Sequence, residues 1–330
     1  MRAVLVTEPA DFESIDLAVV PDPQPGPGEV VVDVAAAETN YPDLLVIEGK
    51  YQVRPPLPFS PGKAAAGRIA ALGPGVDRFA VGDRVAVQVE YGAYAEKLSA
   101  PATGCFPLPD SVTFETAAAL GLVYQTAHFA LVERARLRAE ESVLVLGGSG
   151  GIGTASIQVA KALGAARVIA AVRAADDAAV ARTAGADAVI EIGGGVPRDR
   201  LREAVHAIND GRGVDIVIDP VGGEANAAAL RALAWCGRLV VIGFASGKIP
   251  TIQTNYLLVK NISVLGLHWS DYRERTPALV AQVQRNLFEL HVQNRIDPIV
   301  MRVVPLARFK EALRALRDGT AQGKIILTMQ

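Results

Sequence analysis

A glycine cluster in the middle of the chain has the composition and spacing of a phosphate-binding turn. It follows an apolar, strand-like run at 142–146 and precedes a segment at 154–164 whose apolar residues recur at helical spacing. Within the cluster, Gly148, Gly150 and Gly153 fit the pattern GxGxxG. In a strand–turn–helix unit, such glycines let the two phosphates of a dinucleotide reach backbone amides at the helix N-terminus. We therefore predict dinucleotide contacts from Gly147, Ser149, Gly150, Gly151, Ile152 and Gly153.

The residues after the next apolar run bear on which dinucleotide binds. The strand-like run 167–172 is followed by Arg173, and no acidic residue ends it to bond the ribose 2′-hydroxyl of NAD. An arginine at this place can hold the 2′-phosphate of NADP instead. NADPH is therefore the predicted cofactor, and a solvated surface role for Arg173 is the alternative.

The totals exclude several classes of function. A length of 330 residues favours two domains, and 50% of the residues are hydrophobic. The 33 basic and 35 acidic residues give a net charge of −2, which offers no general attraction to nucleic acid or to an anionic membrane. Small molecules are the expected partners. Cys105 and Cys236 lie far apart, so we expect a reducing, cytoplasmic location with neither a disulfide framework nor a thiolate cluster.

The first part of the chain has the pattern of β-structure. Up to about residue 120 it lacks helical periodicity, and short strand-like runs alternate with turn clusters rich in proline and glycine. This pattern predicts an all-β, barrel-like first domain. The predicted strands are Val4–Val6, Val30–Val34, Ala66–Ala71, Arg84–Val89 and Ala93–Leu98.

Strands and helices alternate from Ser142 onward, after a helical pattern at Ala117–Val132. Strands joined by helices in this way predict a parallel, doubly wound sheet of six strands with right-handed crossovers. The predicted strands are Val143–Gly147, Val168–Val172, Ala188–Glu191, Val214–Asp219, Arg238–Gly243 and Ile262–Leu267. The predicted helices between them are Gly153–Leu163, Asp176–Thr183, Arg198–Asn209 and Gly223–Leu233.

The tail of the chain is expected to return to the β-rich domain, because the parallel sheet already has its six strands. It contains the predicted helices Pro277–Leu290 and Leu306–Arg317 and the predicted closing strand Lys324–Thr328. The predicted domains are a β-rich catalytic domain over 1–120, completed by 269–330, and a dinucleotide-binding domain over 121–268.

Short segments spread in order over nearly the whole chain carry a family resemblance. They are Asn40–Asp43, Glu48–Tyr51, Pro58–Gly62, Val81–Val85, Gly147–Gly153, Gly211–Asp215, Asp219–Gly223 and Gly323–Lys324. Together they resemble the medium-chain dehydrogenase/reductase superfamily, in its zinc-free quinone oxidoreductase, zeta-crystallin-like branch. The resemblance implies an α/β fold class, with a doubly wound, parallel six-stranded Rossmann sheet plus a β-rich GroES-like barrel domain. It also implies a homodimer paired along the edge of the Rossmann sheet.

Zinc alcohol dehydrogenases share the superfamily fold, so the sequence has to be searched for metal ligands. A catalytic zinc there needs three Cys or His ligands and one open position. Asn40 and Gly62 stand near the places where the superfamily has its first Cys and its His. We therefore predict a zinc-independent enzyme without a metal site. The histidines, none of which pairs with another or with a Cys at ligand spacing, are His128, His206, His268 and His291.

Without a metal, the hydride acceptor must need little electrophilic help. A quinone, or a carbon–carbon double bond conjugated to a carbonyl, qualifies because hydride addition gives a delocalised anion that a hydrogen-bond donor or water can protonate. The resemblance implies that Asn40, Asp43 and Tyr51 line this pocket. Asn40 would position the nicotinamide or the substrate oxygen, and Tyr51 would donate the proton. The alternatives are that Tyr51 only packs and that Asp43 only begins a helix. Lys63 stands where the family usually has Glu, and it either favours an anionic substrate or points to solvent.

The resemblance adds further predicted cofactor contacts. Thr126 would lie near the nicotinamide carboxamide, and His268 would border the nicotinamide or pack between subunits. NADPH-specific relatives often have Ser or Gly followed by Lys after the second strand, where Ala174 and Asp177 stand here. The other predicted contacts are Val221, Gly243, Phe244, Ser246 and Lys324.

The predicted function is that of a zinc-independent NADPH:quinone oxidoreductase that transfers hydride to quinones or α,β-unsaturated carbonyls. A 2-enoyl thioester reductase that uses Tyr51 as its acid is one alternative. Another is a crystallin-like or RNA-binding protein that retains a nucleotide site, which the near-neutral charge disfavours.

Overall fold

The secondary structure is given by a computed structural model, which describes residues 1–193 and 198–329. The strands are, in chain order, β1 (Arg2–Leu5), β2 (Asp16–Val19), β3 (Glu29–Glu38), β4 (Ala64–Leu72), β5 (Arg84–Gln88), β6 (Lys97–Pro101), β7 (Cys105–Pro107), β8 (Ser142–Leu146), β9 (Arg167–Val172), β10 (Ala188–Glu191), β11 (Val214–Asp219), β12 (Leu233–Val241), β13 (Ser263–Gly266), β14 (Val300–Pro305) and β15 (Lys324–Thr328). The α-helices are α1 (Tyr41–Ile47), α2 (Phe114–Ala119), α3 (Leu122–Phe129), α4 (Gly151–Ala162), α5 (Ala175–Thr183), α6 (Arg198–Ile208), α7 (Gly223–Ala232), α8 (Thr254–Lys260), α9 (Trp269–Arg275), α10 (Pro277–Val292) and α11 (Phe309–Arg317). Among the helices in these two ranges, none has the length and apolar character that crossing a membrane requires.

The chain divides into two compact units. The first consists of Met1–Leu122, Ser270–Gln293 and Val300–Gln330, and the second consists of Val123–Trp269 and Asn294–Ile299. The segment 294–299, which the sequence places with the β-rich domain, therefore lies in the second unit. Its Asp297 explains this, because the backbone of that residue donates to Oε1 of Gln158 at 2.8 Å and accepts from Nε2 of Gln158 at 2.6 Å.

The second unit contains one six-stranded sheet in the order β10-β9-β8-β11-β12-β13. Every neighbouring pair is parallel. All five residues of β8 are buried, as expected of a strand that is covered on both faces. The chain order reverses between β8 and β11, and open α/β sheets bind ligands at such a point. The prediction of a doubly wound, parallel, six-stranded sheet is confirmed.

The first unit contains a sheet in the order β14-β15-β3-β4-β5-β7, with β6 also paired to β3. β14 runs parallel to β15, and the other neighbours are antiparallel. The closing strand β15 pairs with β3 so that Ile326 lies opposite Glu38, which brings the end of the chain to the start of α1. The β-rich architecture predicted beside the Rossmann sheet is confirmed.

The prediction of one continuous helix over Ala117–Val132 is wrong. The segment is split into α2 and α3, and a π-helix at Ala130–Arg134 follows. α3 starts anew because Oε1 of Glu38 accepts the N–H of Leu122 at 2.8 Å and so satisfies a backbone donor that has no partner inside the helix. A contact from a residue that lies far away in sequence therefore sets this boundary.

The predicted strand Ala93–Leu98 is displaced, because β6 begins only near its end. Ala93 and Tyr94 instead donate their backbone N–H groups to the carbonyl oxygens of Gly62 and Pro61, at 3.2 and 2.9 Å. The segment thus forms a loop contact, and Tyr94 enters the interior of the first unit, where it is fully buried.

Several short elements are absent from the sequence-based prediction, namely β2, β7, β14, α1, α8 and α9. For α1, only the alternative in which Asp43 begins a helix points to a helical segment, and it sets no range. α1 has only seven residues, so the 3.6-residue period has too little length to emerge. β12 also begins earlier than predicted, at Leu233 rather than Arg238.

Candidate cofactor and substrate sites

The inner side of the glycine turn leaves no room for side chains. A Cβ on Gly153, in the first turn of α4, would lie 2.0 Å from the carbonyl oxygen of Gly147. A Cβ on Gly148 would lie 2.7 Å from the Cβ of Ala170 in β9. Gly147 itself has a φ of 64°, in the left-handed region that favours glycine. The predicted glycines are therefore the ones that let the helix approach the sheet closely, as a dinucleotide-binding turn requires.

The outer side of the same turn is accessible. Ser149, Gly150, Gly151 and Ile152 are partly exposed, and a Cβ on Gly150 would meet only the carbonyl oxygen of Gly147, at 3.6 Å. Gly150 is the N-cap of α4, so the N–H groups of the first helical turn lack acceptors within the helix. That turn carries no acidic residue to neutralise its partial positive charge. The turn can therefore hold an anionic pyrophosphate on backbone amides.

Arg173 stands at the end of the second strand along the chain in this unit. Its side chain is 59% exposed, and its Nε lies 4.0 Å from Oδ2 of Asp177 in α5. Gly193, which follows β10, packs against the backbone of Arg173, since a Cβ there would lie 2.0 Å from its carbonyl oxygen. The guanidinium is thus exposed where doubly wound folds read the ribose 2′ position.

Asp219 ends β11 and organises the loop that follows. Its Oδ1 accepts the N–H groups of Val221 and Gly222, both at 2.8 Å, and its Oδ2 accepts from Nδ2 of Asn226 at 2.7 Å. Burial raises the pKa of this carboxyl, and the same three hydrogen bonds oppose the rise. The buried carboxyl group of Asp219 therefore fixes the loop that carries Val221.

The loops after β11 and β12 are joined to each other and line a cavity of about 270 Å³. Ser246 donates its N–H to the carbonyl oxygen of Val221 at 3.0 Å, and Gly223 donates to that of Lys248 at 2.9 Å. The predicted contacts Val221 and Ser246 therefore share one cavity. Its walls are Ile192, Leu201, Val221, Gly222, Gly223, Glu224, Ala225, Ala228, Ser246 and Lys248.

The remaining predicted contacts of this unit lie on three elements. Gly243 and Phe244 come shortly after β12, and Phe244 is 37% exposed. His268 is exposed after β13, and Thr126 is buried in α3. Because all six strands are parallel, Gly243, Phe244 and His268 follow strands at the same edge of the sheet as the glycine turn.

In the first unit, Asn40 and Asp43 stand at the N-terminus of α1, and each has a buried atom without a partner. Asn40 is 4% exposed and Asp43 is 1% exposed. Oδ2 of Asp43 accepts the N–H of Asn40 at 2.8 Å and the hydroxyl of Tyr94 at 2.7 Å. Within the described part of the chain, Nδ2 of Asn40 and Oδ1 of Asp43 have no hydrogen-bond partner. Since buried polar groups in proteins are bonded in the great majority of cases, these two atoms mark a candidate ligand site.

The carboxyl of Asp43 titrates close to neutrality. Burial raises its pKa from 3.8 to about 6, while the hydrogen bond from Tyr94 and the positive charges of Lys63 and Lys324 oppose the rise. The carboxyl is therefore mostly ionised at pH 7 and takes up a proton below about pH 6. Its unpartnered Oδ1 is an acceptor in the first state, and the group becomes an acid in the second.

Lys324, a predicted cofactor contact, is buried inside the first unit. Its Nζ donates to the carbonyl oxygen of Thr39 and to Oδ1 of Asn40, both at 2.7 Å. The same nitrogen forms an ion pair with Glu38 at 2.8 Å. The charge of Lys324 is thus balanced within this unit, and one of its hydrogen bonds holds Asn40.

Lys63 is buried too, with 3% of its surface exposed, so the alternative in which it points to solvent is wrong. It forms an ion pair with Glu90, and its Nζ lies 4.5 Å from the centroid of the Tyr51 ring. Glu90 also accepts from Arg273 at 2.9 Å and from Ser270 at 3.0 Å. Burial opposes the ionisation of Glu90, yet the charges and hydrogen bonds of its two cationic partners leave its pKa lowered. A buried, charged network therefore adjoins Tyr51.

Two tyrosines of this cluster keep their protons at neutral pH. Burial, together with the negative charges of Glu90 and Asp43, raises the pKa of Tyr51 to about 12. Burial and Asp43 also raise the pKa of Tyr94 well above its ordinary value. The Tyr94 ring lies against Gly62, whose φ is 94° and where a Cβ would lie 2.4 Å from the ring. Both phenols can therefore act as hydrogen-bond donors.

Sequence reasoning missed Tyr94, Glu90, Arg273 and Glu38 as parts of this cluster. The one signal in the sequence is that Lys63 directly precedes the apolar run 64–66, since a lysine drawn into the interior with such a run needs a nearby acidic partner. Within residues 1–193 and 198–329, no group of three or more His, Cys, Asp or Glu side chains is arranged to hold a metal ion.

Comparison with known proteins adds to this geometry. The chain matches a family model described as an alcohol dehydrogenase GroES-like domain over residues 26–110 and one described as a zinc-binding dehydrogenase over residues 151–285. It is 35% identical over 329 residues to quinone oxidoreductase-like protein 2 of Mus musculus, covering 100% of this chain and 92% of that protein. The structure of a mycobacterial protein complexed with NADPH is 32% identical, with a TM-score of 0.92 and coverage of 99% and 100% of the two chains. Escherichia coli quinone oxidoreductase complexed with NADPH is 28% identical, with a TM-score of 0.90 and coverage of 99% and 100%.

The protein is an oxidoreductase with a dinucleotide-binding domain and a GroES-like domain. This class is defined by the Rossmann sheet, the glycine turn and the GroES-like unit. Within that class, the chain belongs to the medium-chain dehydrogenase/reductase superfamily, in its quinone oxidoreductase branch.

Proposed function

We propose that this protein is an NADPH-dependent reductase that transfers a hydride to a quinone or to an α,β-unsaturated carbonyl compound. The observation that carries the proposal is the buried, unpartnered pair of atoms at the head of α1, Nδ2 of Asn40 and Oδ1 of Asp43. The names of the related proteins support the class of acceptor, and the NADPH complexes of two related structures support the cofactor.

NADPH, when bound, supplies the hydride. The backbone amides of 149–153 would hold its pyrophosphate, because they stand at a helix N-terminus with an accessible outer side. Arg173 would hold the 2′-phosphate, since a guanidinium matches phosphate geometry. Further contacts are proposed from Gly147, Thr126, Val221, Gly243, Phe244, Ser246 and His268.

The side chains at the head of α1 would act on the acceptor. Hydride addition leaves negative charge on the acceptor oxygen, and a preorganised donor in a dry site stabilises such a charge. Nδ2 of Asn40 is a buried donor of this kind. The hydroxyl of Tyr51, whose pKa is raised to about 12, keeps its proton at neutral pH and can deliver it to the product anion. Asp43 would serve as an acceptor at neutral pH and as a second acid below about pH 6.

The proposal that no metal takes part rests on the side chains that replace the ligands of zinc enzymes. The position near the superfamily's first Cys is Asn40, whose Oδ1 already accepts from the ammonium of Lys324. The position near its His is Gly62, which offers no donor atom. Lys63, the residue after Gly62, has an ammonium that only donates hydrogen bonds and is paired with Glu90, so it adds no metal ligand. Activity should therefore survive dialysis against a chelator, and a loss that zinc restores would contradict the proposal.

The oxidation of NADPH by 1,4-benzoquinone, 9,10-phenanthrenequinone and crotonyl-CoA tests the class of acceptor. We expect turnover with the quinones. Turnover confined to crotonyl-CoA would favour the enoyl thioester reductase instead. Binding of NADPH without turnover of any acceptor would favour a protein that only retains a nucleotide site.

The variant Tyr51→Phe tests the proton donor. It should slow the reduction of an enone more than that of a quinone, because the enolate needs a proton at carbon or oxygen while a hydroquinone anion is already stabilised by its ring. NADPH affinity should not change. Tyr91→Phe is the matched control, since Tyr91 packs edge-on against Phe59 and is 37% exposed. Equal slowing of both reactions by Tyr51→Phe would count against an acid role.

A homodimer paired along β13 is also proposed. β13 stands last in the order of the six-stranded sheet as described, and an edge strand presents backbone groups for pairing. The second unit also exposes large apolar side chains, with Trp235 and Leu258 each 78% exposed. Light scattering should give twice the mass of one chain, and Leu258→Asp should shift the protein toward the monomer. A monomeric wild type would contradict the proposal.

A further inference from the structure

We propose that Lys324 is a positioning residue that orients the amide of Asn40, so that the NH₂ group of Asn40 donates to the carbonyl oxygen of the acceptor. The inference rests on the proposed function. It specifies that the acceptor must present an oxygen to a neutral N–H donor at the head of α1.

The orientation of the Asn40 amide follows from what lies against it. An asparagine amide has an oxygen that only accepts hydrogen bonds and a nitrogen that only donates them, whereas a lysine ammonium has donors alone. Nζ of Lys324 lies 2.7 Å from one end of the Asn40 amide, so that end must be the oxygen. The reverse orientation would press two donors together. Lys324 therefore decides which way the amide faces.

The nitrogen of the same amide is left as a donor for a ligand. Asn40 is 4% exposed, and its Nδ2 has no hydrogen-bond partner within the described residues. Its backbone is fixed as well, because its N–H donates to Oδ2 of Asp43 at 2.8 Å. A donor that is held in place before the reaction stabilises a developing oxyanion without reorganising.

The fold brings Lys324 to this place through the pairing of β15 with β3. Ile326 lies opposite Glu38, and the backbone N–H and hydroxyl of Thr39 donate to the carbonyl oxygen of Ile325 at 3.1 and 3.0 Å. The ammonium then reaches oxygens of three successive residues, which are Glu38, Thr39 and Asn40. These three contacts fix the ammonium next to the Asn40 side chain that it orients.

The same contacts argue against a direct role in holding the cofactor. Glu38 is 0% exposed, and its buried carboxylate is paired with Lys324 at 2.8 Å. To serve a phosphate, the ammonium would have to leave that carboxylate unpaired in the interior, which is strongly unfavourable. Lys324 should therefore act through Asn40.

The experiment compares Lys324→Met and Asn40→Leu, alone and together, with the wild type as the reference. Each variant that carries Lys324→Met also carries Glu38→Gln, so that both charges of the buried pair are removed together. Each change should lower kcat/KM for 9,10-phenanthrenequinone by about 10²-fold, the usual loss for one oxyanion donor. Both together should lose no more than about threefold beyond either alone, because the same donor is lost. The dissociation constant of NADPH, measured by fluorescence, should stay within about twofold of the reference. Lys310→Met, a surface change in the same unit, is the control and should leave the kinetics unchanged.

Two results would overturn the inference. An NADPH dissociation constant that rises about tenfold in Lys324→Met would make Lys324 a cofactor contact. Losses that multiply to about 10⁴-fold in the combined variant would mean that the two residues act independently.

A spectroscopic readout separates this inference from the proposed function. In protein labelled with ¹⁵N-asparagine, the NH₂ resonance that disappears in Asn40→Leu should shift when duroquinone is added. That response should vanish in Lys324→Met. If the wild type reduces no acceptor but the resonance responds in this way, the proposed function fails and the orientation stands. A resonance that responds equally with and without Lys324 would refute the orientation.

Discussion

The replacement Asp43→Asn should make the stability of the first unit less dependent on pH. Asp43 is buried beside Tyr94, Lys63 and Lys324, and burial raises its pKa from 3.8 to about 6. A carboxyl with a raised pKa favours the folded state when it is protonated. Its contribution is therefore fully present below pH 3.8 and is lost as the pH rises through about 6.

The size of the effect follows from the two pKa values. A shift from 3.8 to about 6 corresponds to about 3 kcal/mol of unfolding free energy, all of which is lost by about pH 8. About 1.6 kcal/mol of this is already lost at pH 5. The unfolding free energy of Asp43→Asn, minus that of the wild type, should therefore rise by about 1.4 kcal/mol from pH 5 to pH 8. A new amide group that lacks a hydrogen-bond partner changes the unfolding free energy by a constant amount that does not depend on pH.

The assay has to report on the first unit alone. Both tryptophans, Trp235 and Trp269, lie in the second unit, so their fluorescence is unsuitable. Pulse proteolysis in urea, read by mass spectrometry of peptides from the first unit, gives the unfolding free energy of that unit at each pH. Asp77→Asn, at an exposed position of the same unit, is the matched control. A difference between Asp43→Asn and the wild type that stays flat from pH 5 to pH 8 would refute the reasoning.

Three further predictions concern the two sites. Gly62→Ala should lower kcat/KM by about 10²-fold, because the new Cβ would lie 2.4 Å from the Tyr94 ring. The displaced Tyr94 hydroxyl could then no longer donate to the carboxyl of Asp43, and unchanged acceptor kinetics would contradict this. Arg173→Ala should weaken NADPH binding by about tenfold or more and leave NADH binding nearly unchanged, because only NADPH carries the 2′-phosphate; equal effects in fluorescence titrations would rule out the contact. Lys63→Met should lower the unfolding free energy of the first unit by about 3 kcal/mol. This is at the lower end for the loss of a buried ion pair, because Glu90 keeps Arg273 as a second cation at 2.9 Å. A loss below about 1 kcal/mol in pulse proteolysis would mean that the pair of Lys63 and Glu90 is not truly buried.

The parallel sheet was predictable because its signals are local. Each strand is a short apolar run next to a turn, and the period of the following segment changes to that of a helix. The glycine turn is local as well, since the strand, the glycines and the helix follow one another in the chain. The helix Ala117–Val132 and the strand Ala93–Leu98 were not predictable in the same way. Their true boundaries depend on Glu38 and Gly62, which reach them from elsewhere in the sequence.

In the candidate substrate site, too, some residues could be found from the sequence and others only from the structure. Asn40, Asp43 and Tyr51 are close together in sequence, and the family resemblance of their segments predicted them. The partners that set their charges and orientations come from other strands, helices and loops, and no spacing rule connects them. Lys324 illustrates this, because the pairing of β15 with β3 is needed to bring it against Asn40.

The sequence by itself determined the class of fold and the glycine turn between β8 and α4, because each of these depends on neighbours along the chain, and the family resemblance singled out Asn40 and Asp43. Only the tertiary structure decided that Lys63 and Lys324 are buried and paired with Glu90 and Glu38, and that Asn40 has its nitrogen left for a ligand. The physical reason is that burial and charge pairing are properties of three-dimensional surroundings, which the antiparallel sheet of the first unit assembles from both ends of the chain.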